Sequence, residues 1–161
     1  MRRRGTLLLA MAASDPAGWI QAKWGMSESQ LLEHATKLAA PDQLGNGYVA
    51  TVGVESVPVG LTEYRAYFVI EPKAGLKSVR LFPVSHSDDS ELEFAAVENL
   101  LLMKYCRPWT KDVHGDIEEK TAQWTFPTTT ITLSFSNIKL IGFTNGCLMY
   151  DHKPASGPDN L

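Results

Sequence analysis

Cysteine is scarce: Cys106 and Cys147 are the only two in 161 residues. Neither belongs to a C-x-x-C pair and no histidine stands at ligand spacing beside them, which excludes a cysteine-based zinc site. Positive charge is short as well. With 15 Lys and Arg against 18 Asp and Glu, the formal net charge is -3 and the pI near 5.8. Nucleic acid and anionic lipid are therefore not expected partners, because affinity for either leans on clustered cations. The one basic run, Arg2-Arg3-Arg4, lies at the N-terminus. No later apolar stretch approaches the ~20 residues of a membrane-spanning helix. Catalytic signatures are missing too: the chain has no G-x-S-x-G elbow, H-E-x-x-H, P-loop or dinucleotide glycine fingerprint. Gly45-Asn46-Gly47 precedes a strand-like run instead of a helix, so it reads as a turn and not a phosphate cradle. No cofactor is implied.

What is present is the make-up of one globular domain, 44% hydrophobic and 20% charged, long enough to bury a core. Met1 to Gly5 is basic, Thr6 to Ala13 is apolar, and Ala10-Met11-Ala12 is a small-x-small triplet. That is a compressed outline of a secretory signal; a ragged terminus is the alternative. In an exported protein Cys106 and Cys147 could join, worth roughly 4 kcal/mol on a chain-entropy view. Otherwise they are two buried thiols. The expected layout is a signal segment or disordered terminus over 1–14, a single domain over 19–152, and a flexible tail over 153–161. The half-units of the domain run about 19–85 and 86–152.

Ser27 with Gln30 forms a capping box. Leu31, Leu32, Ala35, Leu38 and Ala39 recur at helical spacing, which predicts a helix from about Glu28 to Ala39. Strand-like runs follow at Tyr48–Glu55, Thr62–Ile70 and Leu76–Val84, separated by Val57-Pro58-Val59-Gly60 and Glu71-Pro72-Lys73-Ala74-Gly75. Tyr64, Ala66, Phe68 and Ile70 share one face. Ser90 with Glu93 opens a second helix that runs to Tyr105. A polar, mobile loop is expected over Thr110–Glu119. Alternating strands follow around Trp124 and Ile131-Leu133-Phe135, and Asn145-Gly146 signals a hairpin between 138–143 and 147–151. Helix then strands, twice, predicts an α+β fold: two pseudo-repeated helix-then-antiparallel-sheet units packed as one domain.

Two phrases resemble known proteins. Trp24-Gly25-Met26-Ser27 with Glu28 and Leu31 resembles the "W/F-G-x-S-x-x-E-V/L" opening of small bacterial envelope proteins. Met103-Lys104-Tyr105-Cys106-Arg107-Pro108, then Trp124 and Ile131-Leu133, resembles their "L-x-x-K-Y-G-x-P … W … I-x-L" arrangement. The element order is similar to the outer-membrane assembly lipoprotein family and to the tandem form in the β-lactamase inhibitory proteins. Cys106 stands where that pattern has Gly, and the lipid-anchoring Cys is absent, so the resemblance implies a free periplasmic or secreted protein. These families bind other proteins, which implies interaction and not catalysis.

Among chemistry-bearing residues, the cluster His114, Asp116, Glu118 and Glu119 has the types for a divalent metal or an acid–base pair, and equally for a solvated acidic loop. Cys106 with a distant His has the types for a thiol nucleophile. Asp151-His152 offers half of a dyad without a nucleophile. Tyr105, Arg107 and Trp109 are of the types enriched at binding hot spots and form the expected recognition surface. The resulting expectation is an exported bacterial protein without enzymatic activity that binds another protein, its oligomeric state open. The alternatives are a small metal-dependent or thiol hydrolase, and an intracellular small-molecule-binding module.

Overall fold

The computed structural model describes residues 14–85, 90–108, 110–114, 118–138 and 143–154. The chain begins with a two-stranded ribbon, β1 (Gly18–Trp19) and β2 (Ala22–Lys23), and a single helical turn, α1 (Glu28–Leu31). A meander follows: β3 (Thr36–Gln43), β4 (Val49–Val59), β5 (Thr62–Glu71) and β6 (Gly75–Pro83). The long helix α2 (Ser90–Tyr105) then leads into a second meander, β7 (Thr110–His114), β8 (Glu118–Thr125), β9 (Thr129–Ile138) and β10 (Phe143–His152). The eight strands β3 to β10 form one antiparallel sheet in the order β3-β4-β5-β6-β10-β9-β8-β7. Its central seam is the pairing of β6 with β10, where Leu81 faces Leu148 and Val79 faces Tyr150.

This overturns the expected α+β arrangement of two helix-then-sheet units. The fold is mostly β, the strands of both supposed units belong to one continuous sheet, and among the described residues only one helix is long. The first helix begins as expected: Ser27 accepts from the Gln30 N–H, and the Gln30 side chain accepts from the Ser27 N–H. It ends after one turn because a short helix is marginal by itself. The next residues gain a ladder instead, with Thr36 opposite Gly53 and Lys37 opposite Val52. Leu38 and Ala39, assigned to the helix by spacing, lie in this edge strand.

Three smaller expectations also change. Val57-Pro58-Val59 stays in β4 across a bulge between Val54 and Val57, and the chain turns at Gly60-Leu61. Thr110–His114 is the edge strand β7 and not a loop, although 115–117 lie outside the described residues. Asn145-Gly146 sits inside β10 opposite Ser136 and Phe135; a ladder on β9 overrides its turn preference.

Alternation divides the sheet into two faces. On one face Val52, Tyr64, Ala66, Phe68, Val79, Leu81, Leu148, Leu133, Ile131 and Trp124 join a buried cluster. Helix α2 covers part of it with Phe94, Val97, Leu101 and Tyr105, at helical spacing. The Phe94 ring meets Phe135 at 5.7 Å and Tyr105 meets Phe126 at 5.3 Å. The Tyr64 hydroxyl bonds Glu93 of α2, and burial together with the Glu93 charge holds that phenol far above its usual range. The N-terminal ribbon and α1 cover the rest through Trp19, which contacts Phe68, and through Ala22 and Leu31.

Gly75 makes the N-terminal arm fit. Its φ is +73°, and a Cβ there would collide with the Gly25 carbonyl oxygen. The close approach lets Gly25 N–H donate to Leu76 O at 3.0 Å and Leu76 N–H donate to Met26 O at 2.8 Å.

Candidate functional site

The described residues among those singled out in the sequence do not gather in one place. Tyr105 is buried, Arg107 is exposed just beyond α2, and Trp109 lies outside the described residues. Tyr105 is thus a packing residue joining α2 to Phe126, just past β8. Cys106 follows it at φ +64° and its N–H donates to Leu102 O at 2.9 Å. The Trp124 indole N–H donates to Cys106 O at 3.0 Å, which ties the helix end to the core. That left-handed position favours glycine over cysteine.

Both cysteines are free thiols. Cys147 sits opposite Ser134 on the face away from α2, while Cys106 ends α2 on the covered side. Burial pushes the Cys147 thiol up to about 12, with Arg80 opposing and Asp151 reinforcing, so it stays protonated and unreactive. His114 and Glu118 belong to paired strands, with His114 opposite Glu119, but their side chains and Asp116 lie outside what the structure describes. Among the described residues no group of three His, Cys, Asp or Glu side chains is placed to hold a metal. Asp151 and His152 do not form a dyad. Asp151 faces Arg80 at 3.6 Å, whereas the His152 ring stacks on Trp24 at 5.7 Å.

Two surfaces emerge instead. The first runs along α2, whose apolar residues outnumber those one buried face can use. Leu92, Leu100 and Met103 are 56%, 48% and 84% exposed, at spacings of eight and three that keep them on one side. Leu61, 68% exposed, lies beside the helix because the neighbouring Gly60 abuts Ala96 and Val97. Ile20, 67% exposed, lines a 210 Å³ cleft with Lys104 and Tyr105 at the helix end. Leu92, Leu100 and Met103 form an apolar strip on the outer side of α2, with Leu61 near the middle of the helix and Ile20 near its end. The signal was in the sequence, since α2 has apolar residues around its whole circumference, which a helix covering one sheet face does not need.

The second surface is the face of the sheet opposite α2. Cross-strand register places Tyr67, Arg80, Met149, Thr132 and Gln123 in one row across β5, β6, β10, β9 and β8. Arg65, Phe82, Cys147, Ser134 and Thr121 form the next row. The Tyr48 ring lies over the Arg80 guanidinium at 4.6 Å. Beside them a groove of about 390 Å³ is lined by Asp42, Gln43, Leu44, Gly45, Tyr67 and Phe82. Nothing local marks Arg80 in the sequence, where it is one polar residue between Val79 and Leu81.

No protein-family model matches the chain, and no curated protein matches it in sequence. Among solved structures, the DUF4309 family protein YjgB of Bacillus subtilis is similar with a TM-score of 0.43 at 10% identity, over 79% of this chain and 78% of that one. Among the described residues no helix is long and apolar enough to cross a membrane.

Proposed function

We propose that this chain is an exported bacterial protein that binds another protein through the outer side of α2 and performs no chemistry of its own. The observation that carries the reading is the exposed strip of Leu92, Leu100 and Met103 along α2. Large apolar side chains gathered on one side of a monomer's surface mark interaction sites. A helix face read as spaced apolar anchors is a recurrent mode of protein recognition. An anionic membrane is a poorer occupant, since among the described residues Lys104 and Arg107 at the helix end are the cations near the strip and the chain is acidic overall. The two envelope-protein phrases support the same reading, because the families they resemble act by binding proteins. The recognition surface thereby moves from the Tyr105 corner to the neighbouring side of the same helix, with Arg107 at its end.

The test is capture from a bacterial envelope extract on immobilised protein. The M103K and L100K variants should retain less than a tenth of the wild-type yield of the captured partner while keeping the wild-type circular dichroism spectrum and melting temperature. Undiminished capture by both folded variants sinks the strip as the binding surface. Export has its own measurement, the intact mass of the protein made in a bacterial host. A chain shortened at the Ala10-Met11-Ala12 triplet supports it, and an intact Met1 terminus refutes it.

A further inference from the structure

The sheet face opposite α2 carries buried donors that the protein itself does not use. Arg80 Nε, Arg65 Nε and the Ser78 hydroxyl are all buried and all lack a hydrogen-bond partner among the described residues. Ser78 is 1% exposed and stands two residues before Arg80, so the two side chains share this face of β6. Arg65 shares it from β5, one step diagonally from Arg80. Buried polar groups are nearly always bonded, and three such donors on two adjacent strands of one face point to a ligand that accepts from them.

The charges on the face decide which kind. Arg80 already faces Asp151 at 3.6 Å, and Arg65 pairs with Glu55 at 2.7 Å. A second anion would meet those carboxylates as well as the guanidinium groups. A neutral, hydroxyl-bearing ligand meets no such conflict, because each hydroxyl accepts from an arginine or serine and donates to a carboxylate. The aromatic side chains fit the same ligand. Tyr67 and Phe82, edge to face at 6.0 Å, wall a groove of about 390 Å³ that also holds Asp42 and Gln43, within the size range of small-molecule sites. The half-buried Phe82 ring can cover the C–H face of a sugar ring while the polar groups take its hydroxyls. The polar row continues to Thr132 and Gln123, where Gln123 Nε2 donates to Thr132 Oγ1 at 3.2 Å. At about 4.8 Å per strand the row from Tyr67 to Gln123 spans about 19 Å, the reach of several linked sugar units.

We propose that the sheet face centred on Arg80 is a binding site for a neutral oligosaccharide. Isothermal titration calorimetry of the full chain with cellohexaose, maltohexaose, chitohexaose and hexagalacturonate tests it. At least one neutral hexasaccharide should bind, and hexagalacturonate should bind at least tenfold more weakly than that one. Because R80A removes a largely buried side chain, the variants of choice are Y48A and Q123A at half-buried positions. Each should weaken the neutral ligand at least fivefold with little change in melting temperature. The assignment is overturned if none of the three neutral sugars binds at millimolar concentration, if the acidic one binds more tightly, or if neither folded variant changes the affinity.

Discussion

Asp15 shows how much one side chain can hold at the edge of this fold. Its carboxylate accepts from the Ala17 N–H at 3.0 Å, from the Thr128 N–H and from the Thr129 hydroxyl at 2.8 Å, and Thr129 in turn accepts from the Trp24 indole at 2.8 Å. Burial by itself would raise its pKa, but these hydrogen bonds outweigh burial and leave it below the usual carboxylate value. A carboxylate depressed in the folded state contributes stability that is present above its unfolded pKa and lost as pH falls through the folded one. D15N should therefore cost about 1 kcal/mol at pH 7, discounted for partial exposure. The cost should shrink below about pH 4, where the wild type loses the same contribution. Urea titrations of both proteins from pH 7 to pH 3 measure it, and a pH-independent difference would contradict the assignment. Cys106 invites the opposite change. C106G places glycine in the left-handed position just past α2 and should stabilise by about 0.5–1 kcal/mol, the relief of backbone strain offset by the freedom glycine gains when unfolded. An unchanged denaturation midpoint would show that the turn does not strain the cysteine.

At the scale of the element, α2 has two sides with different consequences. Its inner side packs Phe94, Val97, Leu101 and Tyr105 into the core. F94A should cost about 3 kcal/mol by leaving a cavity beside Phe135. On the outer side Met103 is largely exposed, so M103K should change stability by less than about 0.5 kcal/mol while removing capture of the partner. Thermal melts of the two variants separate the roles; a large loss from M103K would place Met103 in the core and not on a binding strip. The short α1 teaches a related lesson. Its capping box is legible from Ser27 and Gln30, yet its length is not, because the backbone beyond Leu32 pairs with β4 where helical spacing alone would continue the helix.

At the scale of the molecule, the β6–β10 seam joins the two meanders into one sheet, and the Trp24–Thr129–Asp15 bonds tie the N-terminal arm to the start of β9. Neither meander closes its core without the other, since Leu81 packs opposite Leu148 and Val79 opposite Tyr150. L148A should therefore cost about 3 kcal/mol and lower a single cooperative transition without splitting it in two. Trp24 and Trp124 fluorescence, followed in single-tryptophan variants, should report coincident midpoints. Separate midpoints would show two independent folding units.

Much of the strand content was legible, since period-two alternation placed Tyr64, Ala66 and Phe68 on one covered face and buried Trp124, Ile131, Leu133 and Phe135. So were the capping box of Ser27 and the span of the second helix to Tyr105. These features are local: each depends on spacing within a few residues of its own chain. The exposed apolar strip on α2 was legible only in part, because surplus apolar residues on a helix are visible in sequence while the side they occupy is not. What the tertiary structure alone decided is which strands meet. The pairing of β6 with β10, the edge strand taken from the expected first helix, the buried Asn145-Gly146, and the gathering of Arg65, Ser78, Arg80 and Tyr48 on one face all depend on partners distant in the chain. A ladder of backbone hydrogen bonds to such a partner outweighs the weak local preferences of helix, turn or loop, and those preferences are all that a single stretch of sequence expresses.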